Sequence, residues 1–238
     1  MKCLIMAGGF GTRLYPLTIN RPKAFLEFKG KAVIDHIISR IPEGIDILVS
    51  TNKKFEETFV EWEKRLDTPV QLLVEEIDTD RDKKGAVGAL HHWIGAAGIS
   101  EDLMVIAADN YFEFDLADMM CTYNGRNAIL AVHDVGDKAK ACEIGQACQT
   151  GLVIVRDDKI VRFELAPEEP ISSLVGAGIS ILPQRTFGTI SRYLESHEPD
   201  NLGGFIAYLC QLEDVYAYVF DSMWMDIGDE ILRGKIKA

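Results

Sequence analysis

The sequence predicts an α/β fold in a single domain, a mixed and mainly parallel sheet flanked by helices. Three observations predict it. Short continuous apolar runs alternate with segments of helical periodicity over about the first 127 residues, the pattern of parallel strands covered on both faces. The first of those runs ends in a glycine-rich loop, "AGGFG", followed by basic residues. After about residue 128 apolar runs follow one another with fewer helical segments between them, the texture of a mixed sheet.

The elements follow from these patterns in order. "KCLIMAG" is a buried strand, an apolar run ended by glycine. "AVIDHIISRI" has apolar residues at helical spacing and stops before Pro42. "IDILVST" is a second buried strand, and "KFEETFVEWEKRL" an amphipathic helix whose stripe Phe55, Phe59 and Trp62 reads as core. "VQLLVEE" is a strand, "GAVGALHHWIGAAG" a helix rich in small residues, and "LMVIAAD" a strand that stops on an acid. Beyond them "AILAVHDV", "GLVIVRDDKIVRFEL", "GAGISILP" and "VYAYVF" read as strands, with "RDDKI" as a hairpin turn.

Composition narrows the function classes. The 238 residues are 47% hydrophobic and 26% charged, ordinary values for a globular enzyme. A net charge of −12 argues against a nucleic-acid partner, because binding a phosphate backbone needs a basic surface. Small phosphorylated ligands need only a local basic pocket. The five cysteines, Cys3, Cys121, Cys142, Cys148 and Cys210, are scattered without metal-ligand spacing and read as reduced thiols. His91 and His92 lie on a predicted helix without a partner at ligand spacing and read as structural or solvent-facing. "EEIDTDRDKK" reads as an exposed loop. The N-terminal apolar run is too short for a signal peptide, and no stretch approaches the roughly 20 apolar residues of a membrane span. These features predict a cytoplasmic protein.

Two familiar glycine loops do not fit "MAGGFGTRLYPLTINRPK". A P-loop needs Gly-x-x-x-x-Gly-Lys-Ser/Thr, which is absent. The dinucleotide fingerprint needs a third glycine opening a helix, whereas here Arg13 and Leu14 follow, and Pro16 and Pro22 keep the segment irregular. An NAD(P)-binding domain is therefore disfavoured. The physics of the loop remains: Gly8, Gly9 and Gly11 let backbone N–H groups approach an anion closely. Arg13 offers a planar fork suited to a polyphosphate, and Lys23 a movable point charge.

The stretch "AGGFGTRLYPLTINRPK" resembles the signature of the sugar-nucleotide nucleotidyltransferases, the pyrophosphorylases that make nucleoside-diphosphate sugars. Further landmarks follow in that family's order. "GAVGAL" resembles the helix start lying against the nucleobase, "AADN" the strand end that binds the metal, and "TGLVIV" and "VGAGISIL" the sugar-side strands. "WMDIGD" resembles the element carrying the second metal aspartate. The resemblance covers nearly the whole chain and implies the Rossmann-like nucleotide-diphospho-sugar transferase fold. It places a nucleotide-binding half at about residues 1–127 and a sugar-binding half at about 128–238, with no C-terminal β-helix domain.

The resemblance implies transfer of a nucleotidyl group from a nucleoside triphosphate to a sugar-1-phosphate. Arg13 and Lys23 are then the catalytic cations, and Ala7, Gly8, Gly9, Gly11, Thr12, Gly85 and Gly88 bind the nucleotide. Gly151 and Gly178 face the sugar, with Glu164 standing in from one residue before the family's glutamate position, while Asp109 and Asp226 hold Mg²⁺. The partners are the triphosphate and the sugar-1-phosphate, with neither nucleic acid nor membrane, and a homo-oligomer is compatible with the pattern. On its own, Asp109 also reads as a helix cap and Asp226 as a turn residue.

The chain departs from the family at three places. Where many relatives carry Glu-Lys-Pro, it reads "RFELAP", with Leu165 and Ala166 at the glutamate and lysine positions. Gly88 stands where thymidylyltransferases of the family often place glutamine, and "NLGGF" replaces a more acidic element. Base and sugar stay open. The lost lysine also keeps a second reading in view, a catalytically weak relative that binds sugar nucleotides as a regulatory or scaffold subunit.

Overall fold

The apolar run after Met1 lies in the middle of a parallel sheet, and Cys3, Leu4 and Ile5 have no exposed surface. The structure, a computed structural model, describes residues 1–148 and 151–236. In chain order these form β1 (Lys2–Met6), β2 (Glu27–Phe28), β3 (Lys31–Ala32), α1 (Val33–Ile38), β4 (Asp46–Asn52), α2 (Glu56–Glu63) and β5 (Val70–Glu75). Next come α3 (Ala86–Ala96), β6 (Leu103–Ala107), β7 (Asn110–Phe112), α4 (Leu116–Thr122), β8 (Ile129–Asp134) and α5 (Lys138–Cys148). The remainder adds β9 (Leu152–Arg156), β10 (Lys159–Glu164), β11 (Leu174–Leu182), α6 (Phe187–Leu194) and α7 (Leu202–Leu212). Then follow β12 (Tyr216–Phe220), β13 (Trp224–Asp226) and α8 (Ile227–Leu232).

Nine strands make one sheet in the order β5-β4-β1-β6-β11-β8-β12-β10-β9. Strands β5, β4, β1 and β6 pair parallel to one another, in keeping with the apolar runs at their centres. The second half joins through β11, which runs antiparallel to both β6 and β8. Its register against β8 shifts between Gly176 and Ser180, where Gly178 adopts φ +68°. Such a bulge bends a strand locally and re-aims its side chains. The hairpin β9–β10 turns on Asp157 and Asp158, both at positive φ, which matches the twist of paired strands.

Helices cover both faces. On one face the buried Phe55, Phe59 and Trp62 pack with Phe25, and on the other Leu90 of α3 and Phe205 of α7 meet Leu4 and Leu48. The second half is not poor in helices: α5, α6, α7 and α8 all lie there. Helix α7 shows why the pattern hid them. It opens Leu-Gly-Gly, unfavourable for helix by intrinsic propensity. The Asn201 side chain caps it by accepting the Gly204 N–H at 3.0 Å, and Phe205, Ile206 and Leu209 are buried. Among the described residues no helix is long and apolar enough to cross a membrane.

A small ladder decides the geometry of the site. Strands β7 and β13, three residues each, pair antiparallel with Asn110 opposite Asp226. The backbone N–H of Ile227 donates to the carbonyl of Asp109 at 2.9 Å. Two aspartates remote in sequence are thereby set side by side at the carboxyl end of β6, the edge of a parallel sheet where ligands bind.

Helix α3 begins against backbone rather than solvent. Gly85 has φ +75°, and a Cβ there would lie 2.7 Å from the carbonyl carbon and oxygen of Pro199. The Val87 N–H donates to that same oxygen at 2.7 Å. Gly85→Ala therefore combines left-handed strain with a backbone overlap and is expected to destabilise the protein by about 3 kcal/mol. Urea unfolding of the variant checks this. A loss below about 1 kcal/mol would show that the chain at Pro199 gives way freely.

Candidate active site

The glycine loop spans from the end of β1 to a short 3-10 turn, Thr12–Leu14. Ala7 still belongs to the sheet edge, its N–H donating to Ser50 at 3.0 Å, and the Gly8 carbonyl accepts from Asn52 Nδ2 at 2.9 Å. The loop turns at Gly11, φ +63°, whose carbonyl takes the Thr18 hydroxyl at 2.7 Å. From there Gly9, Gly11, Thr12 and Arg13 form one wall of a cleft of about 490 Å³. The Arg13 side chain makes no ion pair among the described residues.

Across the cleft Lys23, Asp109 and Asp226 converge. Pro22 sets the backbone for the turn that carries Lys23, whose Nζ donates to Asp109 Oδ2 at 2.6 Å and Asp226 Oδ1 at 3.1 Å. Asp226 also caps α8, its Oδ1 accepting the Asp229 N–H at 3.0 Å. The side chains are only 17%, 27% and 12% exposed, so this is an interior cluster and not a surface ion pair. Room for the lysine comes from Gly228, where a Cβ would lie 2.1 Å from Lys23 Cε.

The three charges are unequally matched. Burial disfavours the Lys23 ammonium, but the two carboxylates outweigh that and hold its pKa above the ordinary lysine value. Burial also works against Asp109, yet the charge and hydrogen bond of Lys23 keep that carboxyl below the usual aspartate range. Asp226 is pushed up, first by burial and then by the charge of Asp109, with Lys23 compensating only in part. One ammonium thus serves two carboxyl groups, and it compensates Asp109 more fully than Asp226. Its donors are hard carboxylate oxygens, a set that suits a hard divalent cation completed by phosphate oxygens and water. Among the described residues no three His, Cys, Asp or Glu side chains converge on one point.

The residues singled out in the sequence divide into two groups. Gly9, Gly11, Thr12, Arg13, Lys23, Asp109, Gly178 and Asp226 line the cleft. The others take up positions outside its lining. Ala7 and Gly8 lie at the sheet edge, whereas Gly85 and Gly88 pack under Pro199, leaving Ala86 to face the cleft. Gly151 makes way for the Phe163 ring, which a Cβ would meet at 2.4 Å. Glu164 binds the Arg162 guanidinium beside it, so it is Phe163 of the same strand that reaches the cleft. Ala166 stands at φ +41°. His91 bonds Ser191 of α6 at 2.9 Å, and the His92 ring meets Trp93 edge-on, centroids 4.6 Å apart.

Sequence reading missed the far rim. Asp80 and Lys83, from the segment expected to be an exposed loop, line the cleft together with Asp200 and Asn201. Lys83 Nζ meets Asp200 at 2.7 Å and Asp80 at 3.5 Å, which ties the loop before α3 to the start of α7. No local signal marks these residues, since a charged loop ordinarily reads as solvated.

A family model described as nucleotidyl transferase matches residues 2–230. Mannose-1-phosphate guanylyltransferase 1 of Arabidopsis thaliana is 27% identical over 235 residues, which span 96% of this chain and 61% of the plant protein. The mannose-1-phosphate guanyltransferase of Saccharomyces cerevisiae is 26% identical over 257 residues, 99% of this chain and 64% of its own. The chain therefore spans less than two thirds of the length of either curated relative. Among solved structures, a UDP-glucose pyrophosphorylase complexed with UDP-glucose shares the fold with a TM-score of 0.74 at 20% identity, covering 99% of both chains.

Proposed function

Since the chain belongs to the nucleotidyl transferase family, we propose that it transfers a nucleotidyl group from a nucleoside triphosphate to a sugar-1-phosphate, releasing pyrophosphate. The observation that carries this reading is the convergence of Lys23, Asp109 and Asp226 opposite the glycine loop and Arg13 in one cleft.

In this reaction an oxygen of the acceptor phosphate attacks the α-phosphorus. A new P–O bond forms there, the bond from the α-phosphorus to the α–β bridging oxygen breaks, and pyrophosphate departs with that electron pair. The acceptor is a phosphate monoester with a second pKa of about 6, so it is ionised at neutral pH and needs no general base. What remains is to bring two anions together and stabilise the charge that leaves. Arg13, exposed on the cleft wall and without an ion pair among the described residues, suits the β- and γ-phosphates. Lys23 suits the α-phosphate and the incoming oxygen, and loop N–H groups next to Gly9 and Gly11 can complete the cradle.

Asp109 and Asp226 would hold Mg²⁺, and the convergence of two carboxyl groups on a single ammonium supports that assignment. Bound there, a divalent cation would neutralise phosphate charge as a Lewis acid. The acceptor's phosphate has few cations to choose from. Ala166 supplies none, and among the described residues the lysines and arginines lining the cleft are Arg13, Lys23 and Lys83.

Pyrophosphate release over a matrix of nucleoside triphosphates and sugar-1-phosphates tests the proposal, and one productive pair supports it. Nucleotide binding without turnover across the whole matrix would favour the regulatory relative. Arg13→Ala is expected to lower kcat by roughly 10²–10³, the scale of losing one transition-state donor, with the fold intact. A kcat within threefold of wild type in soluble protein would remove Arg13 from the mechanism.

A further inference from the structure

Asp109 does not face the cleft unsupported. Its neighbour Asn110 is buried at the start of β7, and the indole of Trp224, on the paired strand β13, donates its Nε1–H to Asn110 Oδ1 at 2.9 Å. The same N–H also reaches the Ala177 carbonyl at 3.2 Å. An indole N–H can only donate, so the oxygen of the Asn110 amide must be the end that faces it. The NH₂ end is then turned the other way, toward the Ala107 carbonyl at 3.3 Å and Asp109 Oδ1 at 3.0 Å. Turning the amide over would set NH₂ against N–H and a carbonyl oxygen against a carboxylate. With Oδ1 engaged, Oδ2 is the oxygen that Asp109 offers to Lys23.

The indole is itself fixed. It is buried, its strand pairs with Phe112, and the His133 ring lies 5.7 Å from its centroid. Every group between the core and the carboxylate therefore has one orientation available to it.

We propose that Trp224 and Asn110 are positioning residues for Asp109: the indole orients the amide, and the amide holds the carboxylate with one oxygen bound and the other presented to the cation. This rests on Asp109 being a metal ligand, as proposed above. Orienting partners of this kind typically change metal affinity by 10–100-fold when removed.

The test is Mn²⁺ binding, followed by the free-ion electron paramagnetic resonance signal, in the presence of a triphosphate analogue with a non-cleavable α–β bridge. No turnover is involved. Trp224→Phe keeps the ring and deletes the N–H, while Asn110→Ala removes the amide. Each is expected to weaken Mn²⁺ binding by about tenfold. The double variant should be no weaker than Asn110→Ala alone, because the indole acts through the amide. A purely structural tryptophan would instead lower the melting temperature and leave Mn²⁺ affinity unchanged. Affinity within twofold of wild type in folded Asn110→Ala overturns the proposal, and so do additive losses in the double variant. Should Trp224→Phe fail to fold, Asn110→Ala decides alone. Wild-type protein that binds no Mn²⁺ refutes the metal assignment and this inference with it. Weakened binding in the variants alongside absent pyrophosphate release refutes only the activity.

Discussion

Lys23→Met is expected to lower the stability of the metal-free protein by about 3 kcal/mol at neutral pH, the low end of what removing one partner from a buried ion pair costs. Lys23 is the cation in contact with both Asp109 and Asp226, and methionine fills its volume without its charge. Burial raises both carboxyls, and Asp226 already stands above the ordinary aspartate value with the lysine present. Without it, Asp109 loses what holds it below the ordinary value, and Asp226 rises further. A carboxyl with a raised folded pKa gives stability that is full below the unfolded value, about 4, and is lost as pH rises through the folded value. The deficit of the variant should therefore be small near pH 4.5 and large at pH 7.5. The wild-type ammonium does not confuse the comparison: its pKa is raised, so its contribution is intact at every pH below about 10. Millimolar Mg²⁺ should restore part of the loss by replacing the missing cation. Urea unfolding at the two pH values, with and without Mg²⁺, is the measurement. A deficit below 1 kcal/mol that ignores both pH and Mg²⁺ would mean that Lys23 does not compensate these carboxylates.

Strands β1 and β6 were legible because a strand covered on both faces is a continuous apolar run, and β4 and β5 because each has a short apolar core, Ile47–Val49 and Leu72–Val74. The hairpin at Asp157 and Asp158 was legible because two acids between apolar runs announce a turn. Helix α7 was not, since its first turn contains two glycines and its stability comes from Asn201 and from burial of Phe205 and Leu209, both supplied from outside local propensity. Helix α5, "KAKACEIGQAC", is too polar to show a strong apolar face.

The site divides along the same line. Arg13, Lys23, Asp109 and Asp226 could be picked out by residue type and by likeness to a family pattern. Their convergence could not, because it depends on β7 and β13, and three-residue strands carry no periodicity. Gly85 was expected to contact the nucleotide, whereas it lies outside the cleft lining and meets the Pro199 backbone, which folding brings against it. Lys83 and Asp200 became site residues only by pairing across the cleft.

Asp226→Asn is expected to leave the metal-free protein at least as stable as wild type while reducing turnover by roughly 10³, about 4 kcal/mol of transition-state stabilisation. The two effects have one origin. Asparagine keeps the Oδ1 that accepts the Asp229 N–H, so the cap of α8 survives. What it removes is one of two negative charges sharing a single ammonium, and Lys23 and Asp109 are left as a matched pair 2.6 Å apart. The repulsion that raised the Asp226 carboxyl disappears with it. The same deletion halves the carboxylate set proposed to hold Mg²⁺. In wild type, Mg²⁺ with triphosphate should raise the melting temperature, because a ligand bound only to the native state stabilises it. In Asp226→Asn most of that increment should vanish, and likewise in Asp109→Asn, although the latter also disturbs the carboxylate that pairs most closely with Lys23. Thermal melts of the three proteins with and without Mg²⁺ and triphosphate separate the cases. Equal Mg²⁺-dependent shifts in all three would sink the shared site, and Asp226 would then be a helix cap that happens to touch a lysine.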